Sequence, residues 1–226
     1  MRPPGNAHFS LEVAFELRQG VHVLFGPSGA GKSTIVAAIA GLLRPDAGRI
    51  AFGEEVWFDA QRSIWLPANA RKVSLVFQSL ALFPHMSALA NVEYGLPRTL
   101  SRVERRERAM AMLQRMQVAH LAPRRPATFS GGEAQRVALA RAFAREPSLL
   151  LLDESFSAMD RKLRSELGAE LRRYVEERSI PAILITHHRM EAHALGESIL
   201  LVEGGRILGQ GALSELLPLG AREEGG

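Results

Sequence analysis

The sequence predicts an α/β domain: a largely parallel sheet with antiparallel β elements beside it and an α-helical segment inserted over about residues 79–147. Three observations carry this. The apolar run Val21–Phe25 leads into the glycine-rich stretch Gly26–Thr34 and then into Ile35–Ala40, a helix former ended by Gly41. Two more apolar runs, Leu149–Leu152 and Ala182–Thr186, lack the alternation of a half-exposed strand, as strands of a parallel sheet covered on both faces do. Between Ser79 and Pro126 the β-branched runs give way to Met, Ala, Leu and Arg.

Taken in order, Leu11–Leu17 alternates apolar and polar residues, the pattern of a strand with one covered face, and Gly20 turns it into the Val21–Phe25 strand. Arg44-Pro45-Asp46-Ala47-Gly48 is a turn signal, Arg49–Phe52 reads as a strand, and Val73–Phe77 reads as another that ends at Gln78. Ser101 followed by Glu104 is a capping-box start for a helix that carries Met110, Leu113 and Met116 toward a core. Its Arg102, Arg105, Arg106 and Arg108, interleaved with Glu104 and Glu107, form a solvated face rather than a nucleic-acid stripe. Ser130 opens a helix that runs to Glu146 and is stopped by Pro147. Leu163, Leu167, Leu171 and Tyr174 make Arg161–Arg178 an amphipathic crossover helix. Ile199–Val202 and Arg206–Leu208 flank Gly204-Gly205 as a hairpin, and Ala221–Gly226 reads as a frayed tail.

Composition bounds the chemistry. With 226 residues, 46% of them hydrophobic and 23% charged, one domain over 1–226 with a sizeable core is expected. The absence of cysteine excludes disulfides, zinc–thiolate sites and thiol nucleophiles. A net charge of +4, carried almost wholly by arginine, is a weak pointer to nucleic acid or a membrane surface. Met1–Ser10 lacks a signal core, and no run approaches the ~20 apolar residues that span a bilayer. A cytoplasmic chain, linked to any membrane through a partner, is the expectation.

The loop Gly26-Pro27-Ser28-Gly29-Ala30-Gly31-Lys32-Ser33-Thr34 has the P-loop spacing in its proper strand-to-helix setting. Its glycines let backbone N–H groups and a helix N-terminus face phosphate oxygens. Lys32 is placed to reach the β- and γ-phosphates and Ser33 to hold Mg²⁺. Asp153 and Glu154 end a buried strand, where open α/β sheets put ligands; Asp153 suits a metal-holding carboxylate and Glu154 a general base acting on water. Ser130-Gly131-Gly132-Glu133 contains a capping box, which leaves the paired glycines unexplained. Bare of side chains, Gly131 and Gly132 suit close approach of a second phosphate, and one nucleotide cannot easily serve two distant helix N-termini of one chain. A partner subunit's ATP is therefore expected there.

In this order, these motifs resemble those of ABC transporter ATPase subunits over nearly the whole chain. Gly26–Thr34 is similar to Walker A, Gln78 to the Q-loop glutamine, Ser130–Glu133 to the signature and Leu149–Glu154 to Walker B. Ser157-Ala158-Met159-Asp160 is similar to the D-loop and His187, at the end of Ile183–Thr186, to the switch histidine. The resemblance implies a P-loop NTPase (RecA-like) core of the ABC ATPase type. It implies ATP and Mg²⁺ as ligands, with Ser33, Gln78 and Asp153 at the metal, and Glu154 and His187 as the catalytic pair. It also implies a head-to-tail pair of copies in which Ser130, Gly131, Gly132, Glu133 and Asp160 serve the partner's nucleotide. Four positions depart from the family pattern: Ser155 replaces proline, Phe129 leucine, His188 aspartate and Glu133 glutamine. The usual adenine-stacking aromatic has no clear match, leaving His8 or Phe9 for that place.

Leu82-Phe83-Pro84-His85-Met86 and Asn91–Leu96 resemble the importer version of the helical subdomain, which receives a permease. That implies ATP hydrolysis coupled to uptake at the cytoplasmic face of the cell membrane, with permease subunits as partners and a periplasmic or extracellular solute-binding protein as an indirect one. A DNA-repair ATPase of the same superfamily would carry long coiled coils, and only about fifty residues separate Gln78 from Ser130, so no nucleic acid is expected. A regulatory module without hydrolysis is disfavoured because Glu154 and His187 are both present. The short Gly20–Gly26 link, Trp57-Phe58-Asp59, Leu66-Pro67, Arg71-Lys72-Val73 and Glu133 resemble molybdate importer subunits, which implies molybdate or a related oxyanion as cargo. Sulfate, a polyamine or a sugar are the alternatives. Few residues follow Leu217, so feedback through a C-terminal oxyanion-sensing domain is not expected.

Overall fold

Strand β1 (Gly20–Phe25) runs into helix α1 (Lys32–Ile39), followed by the strands β2 (Arg49–Phe52), β3 (Glu55–Asp59), β4 (Ile64–Trp65) and β5 (Val73–Val76). Helices α2 (Ala88–Gly95), α3 (Arg102–Arg115) and α4 (Gly131–Ala144) come next, and then β6 (Leu149–Asp153), α5 (Arg161–Arg178) and β7 (Pro181–Thr186). Helix α6 (Arg189–Leu195), the hairpin β8 (Ser198–Glu203) and β9 (Arg206–Ala212), and the short α7 (Leu213–Leu216) complete the elements. This computed structural model describes residues 10–156 and 159–218. His8, Phe9, Ser157, Ala158 and the tail 221–226, all named above, lie outside the described residues. Among those described, no helix is long and apolar enough to cross a membrane.

The main sheet has the order β5-β6-β7-β1-β8-β9, parallel except for the antiparallel edge strand β9. Alternate residues of the continuous apolar runs go to opposite faces, and both faces are covered, which is why those runs show no polar alternation. Leu150 and Leu152 join a core with α2, α3, α4 and α5, whereas Leu149 and Leu151 join a second core with Ile35 and Val36 of α1 and with Trp57. A separate antiparallel sheet, β2-β3-β4, carries Trp57.

Three readings are corrected. Leu11–Leu17 does alternate in burial, but it forms only a single bridge, Glu12 with Arg206, and no ladder. Its apolar residues Leu11, Val13, Phe15 and Leu17 pack on the second core, so side-chain burial supplies the period of two without strand pairing. The helix opened by Ser130 stops at Ala144, where Arg145 is the C-cap and Glu146 adopts φ 49, so the chain has left the helix before Pro147. Strands β3 and β4 were unread: they are short, and the Gly53-Glu54 turn that launches β3 is masked by flanking charge.

Arg71 joins the two sheets. It is fully buried, and its Nη1 donates to the carbonyls of Ala38 (2.8 Å) and Ile39 (2.7 Å) at the C-terminus of α1. Its Nε and Nη2 donate to the carbonyls of Leu66 and Trp57, and its guanidinium lies 5.4 Å and 4.8 Å from the ring centroids of Trp57 and Trp65. A cation at the negative end of α1, stacked on two indoles, anchors that helix without a carboxylate partner in the contact.

Candidate active site

Four adjacent strands, β5, β6, β7 and β1, end at one edge of the sheet and deliver Gln78, Asp153 and Glu154, His187, and the Gly26–Thr34 loop to the same place. This follows from the register, which sets Val76 beside Leu152, Asp153 beside Ile185 and Phe25 beside Thr186. The result is an open cleft of about 360 Å³ lined by Ser28, Gly29, Gly31, Lys32, Ser33, Thr34, Gln78, Asp153 and Glu154.

Gly31 is the N-cap of α1 at φ 102 and makes no side-chain cap, so the first turn of that helix begins from a left-handed residue that only glycine adopts cheaply. Gly26 is required by space: a Cβ there would sit 2.0 Å from the Val202 carbonyl oxygen of β8. Lys32 is buried and donates to the carbonyls of Gly26 (2.7 Å) and Pro27 (2.8 Å). Burial lowers its pKa from the usual lysine value, and the carboxylates Glu154 and Asp153 oppose that shift. Asp153 is shifted up, first by burial and then by Glu154, while the Ser33 hydroxyl bonded to it and Lys32 pull the other way.

Glu154 has the positive φ of 46 that turns the chain off β6, and its N–H donates to the Ile185 carbonyl. Its carboxylate accepts from the Gln78 side-chain amide (3.1 Å) on Oε2 and faces Nδ1 of His187 (3.0 Å) on Oε1. An ionised carboxylate only accepts, so Nδ1 carries the proton in this pairing. Ser155 is buried, and its hydroxyl lies within bonding reach of the Val76 carbonyl (3.2 Å) and the Asp153 carbonyl (3.4 Å). The residue that departs from the family's proline thereby ties the end of β6 to the end of β5.

Ser130, Gly131, Gly132 and Glu133 do not line this cleft. They form the N-terminus of α4, where the Ser130 side chain accepts from the Glu133 N–H and the Glu133 carboxylate accepts from the Ser130 N–H (2.8 Å). Asp160 caps α5, accepting from the Leu163 N–H (2.9 Å), and Leu163 packs over Gly132. That contact adds a second reason for one of the two glycines. A Cβ on Gly132 would meet a Leu163 methyl at 2.6 Å, the end of a side chain that would have to turn aside, so packing favours glycine here, whereas a Cβ on Gly131 would meet nothing within 4 Å. Gly131 alone is left without a reason inside the chain.

Glu191, buried behind His187, went unread because α6 has only 7 residues and gives too short a pattern to read as a helix, and Thr186 was read only as the end of a strand.

A doubly covered parallel sheet with a glycine-rich loop, a lysine and a strand-end acid around one cleft defines a P-loop NTPase core. The ABC transporter family model matches residues 11–157, and the chain belongs to that family. It is similar to the molybdenum import ATP-binding protein ModC of Brucella abortus, 41% identical over 98% of this chain and 61% of that protein. The molybdate/tungstate import ATP-binding protein WtpC of Archaeoglobus fulgidus is 44% identical over 92% of the chain and 84% of its own length. The chain spans about three fifths of the length of the Brucella relatives it matches. Among solved structures, cbiO1 of Clostridium perfringens, part of the ABC transporter complex cbiONQ, superposes with a TM-score of 0.76 at 29% identity over 88% of this chain and 79% of that one. The dimeric cassette MJ0796, in a post-hydrolysis state bound to ADP and Pi, does so with 0.74 at 31% identity over 86% and 85%.

Proposed function

We propose that this chain is the ATP-hydrolysing subunit of an importer, working at the cytoplasmic face of the membrane as a head-to-tail pair bound to permease subunits, with molybdate or tungstate as cargo. The carrying observation is Glu154 held between Gln78 and His187 at the edge of the phosphate-loop cleft. The relatives named for molybdate and tungstate import support the cargo, and the dimeric ADP-bound cassette supports the pairing.

In this reading the loop N–H groups and Lys32 receive the nucleotide phosphates, and a bound anion gives the desolvated ammonium a counter-charge in place of two carbonyls. Glu154 accepts a proton from the attacking water, with its two oxygens oriented by Gln78 and His187. The oxygen donors Ser33, Asp153 and Gln78 fit Mg²⁺, which prefers few protein oxygens and phosphate for the rest. Among the described residues no cluster of three or more His, Cys, Asp or Glu offers a competing metal cage. When bound, Mg²⁺ supplies charge neutralisation at the β- and γ-phosphates. Ser130, Gly131, Gly132, Glu133 and Asp160 face the partner's nucleotide, and Gly132 also leaves room for Leu163 of α5 beside α4.

The test is ATP turnover by the chain reconstituted with its permease in liposomes, with the solute-binding protein loaded in turn with molybdate, tungstate, sulfate or a sugar. Stimulation by molybdate and tungstate is expected. Stimulation by a sugar with none from either oxyanion overturns the cargo, and absence of ATP turnover under every condition overturns the enzyme.

A further inference from the structure

Behind His187 lies an acid that the reaction as described does not use. Glu191 is fully buried, and so is Thr186, the last residue of β7. Burying a carboxyl group is costly unless partners compensate, and the partner here is the Thr186 hydroxyl, which donates to Oε2 at 2.9 Å. The same hydroxyl oxygen accepts the His188 N–H at 3.0 Å. One side chain is therefore clasped from both sides of the turn that carries His187: by the backbone of the next residue and by an acid one helical turn further on. The other Glu191 oxygen, Oε1, is buried with no hydrogen-bond partner among the described residues. The charged groups around the acid are Arg164 of α5, His187 and Glu154. Burial pushes the carboxyl above the usual range, the direction of a neutral acid.

The imidazole itself stands at the surface. His187 is exposed, with Nδ1 facing Glu154 and its ring 4.0 Å from that of His188. Its aim is thus set by the backbone of the turn, and that turn is held by Thr186. We propose that Glu191 is a positioning residue for the reaction: through the Thr186 hydroxyl and the His188 N–H it fixes the turn that presents the His187 imidazole to Glu154. Glu191 does not line the cleft and acts only through His187. The proposal rests on the reading of Glu154 and His187 as the catalytic pair.

The test compares Glu191→Ala, Glu191→Gln, Thr186→Val and the Glu191→Ala/Thr186→Val double variant with the wild-type chain. A misaimed group costs turnover far more than affinity, so Glu191→Ala should lose ~10-fold or more in kcat while equilibrium ATP affinity stays within ~2-fold. Glu191→Gln keeps an acceptor for the Thr186 hydroxyl and should stay within ~3-fold of wild type. Thr186→Val should match Glu191→Ala, and the double variant should lose little more than either alone, because both cut one path. A readout independent of turnover is the NMR signal of the His187 ring, identified by its loss in His187→Ala. It should move in Glu191→Ala and Thr186→Val and stay in place in Glu191→Gln. An unchanged ring signal and kcat in Glu191→Ala overturns the proposal. So does a joint loss of affinity and kcat with the ring signal in place, which marks a merely structural acid. If Glu191→Ala does not fold, Thr186→Val and Glu191→Gln still decide, because a wild-type Thr186→Val or a Glu191→Gln with a displaced ring is incompatible with the path. If the wild-type chain hydrolyses no ATP at all, the functional reading falls while the ring signal still reports on the positioning.

Discussion

Two glycine-bearing helix N-termini can be set side by side, that of α1 and that of α4. The first is capped by Gly31 with no side-chain bond, and its loop lines a cleft opposite Asp153, Glu154 and Gln78. The second is capped twice over by its own chain, through Ser130 and Glu133, and lines no part of that cleft. Both have the polarity that attracts an anion. Only the first has acids, an amide and an amine of the same chain arranged around the place where the anion would sit. The α4 terminus offers a capped tip and an open space at Gly131, a surface to which a ligand must be brought. The lesson is that a helix dipole makes a terminus receptive, and what faces it decides whether one chain makes a site.

The largest effect that tests this asymmetry is at the first terminus. Glu154→Gln keeps the shape and can still meet Gln78 and His187 but accepts no proton, so ATP turnover should fall ~100-fold or more while nucleotide binding is retained. Turnover near that of wild type would remove Glu154 from its role. In the presence of ATP the variant should accumulate as a dimer by light scattering during sizing. A strictly monomeric species would count against a shared site.

Next in size is the second terminus. Ser130→Arg puts bulk and charge on the α4 tip, so hydrolysis should stop while one chain still binds nucleotide, since the tip does not line its own cleft. Mixing this variant with Lys32→Ala, which spoils the first terminus, gives dimers with one intact composite site. Recovery of part of the activity is expected, and mixed dimers with none would mean that both sites must work together or that the tip does not act on the partner.

The asymmetry was partly legible before any coordinates. The P-loop, the Asp153–Glu154 pair and His187 sit at the ends of buried parallel strands, where a continuous apolar run followed by glycine or an acid is a local signal. The capping boxes at Ser101 and Ser130 were equally local and both are formed. What escaped reading depends on partners distant in sequence. Arg71 entered only through the resemblance carried by Arg71-Lys72-Val73, and nothing local shows that it reaches the end of α1, 32 and 33 positions earlier. Gly132 looked like half of a phosphate-facing pair until Leu163 was seen above it. The Leu11–Leu17 alternation recorded burial correctly and pairing incorrectly, because period two reports which side is covered and says nothing of what the backbone bonds to.

Separating the two glycines gives a smaller and sharper test. Gly131→Ala meets no intrachain atom, and alanine is the better helix former, so thermal stability should hold or rise slightly. Turnover should nevertheless fall several-fold, on the order of 1 kcal/mol, if a phosphate must approach there. Gly132→Ala should melt below Gly131→Ala, because the Leu163 methyl must turn aside. Should both substitutions act on stability alone, α4 would be an ordinary packed helix and the comparison would collapse.

The smallest expected effect concerns Glu133, which the family pattern gives as glutamine. Its carboxylate sits at the positive end of α4, where hydrogen bonds from the Ser130 N–H and hydroxyl hold it below the usual carboxylate range, opposed in part by desolvation and helped to a lesser extent by His120 and Arg124. That charge favours the helix but repels an incoming phosphate. Glu133→Gln keeps an oxygen for the Ser130 N–H and drops the charge, so ATP-driven dimerisation should tighten by roughly 2- to 5-fold at low salt. The gain should shrink toward nothing at ~1 M salt, where the screening length is about 3 Å. Stability should move the opposite way. A depressed folded pKa contributes stability that is fully present above the unfolded value of an ordinary glutamate and is lost as pH falls through the folded value. The wild-type chain should therefore melt higher than Glu133→Gln at neutral pH, and the difference should close on acidification below the usual glutamate range. Melting curves of the two proteins from pH 7 downward check the sign, and a dimerisation gain that persists undiminished in high salt would show that charge at Glu133 is not what opposes the phosphate.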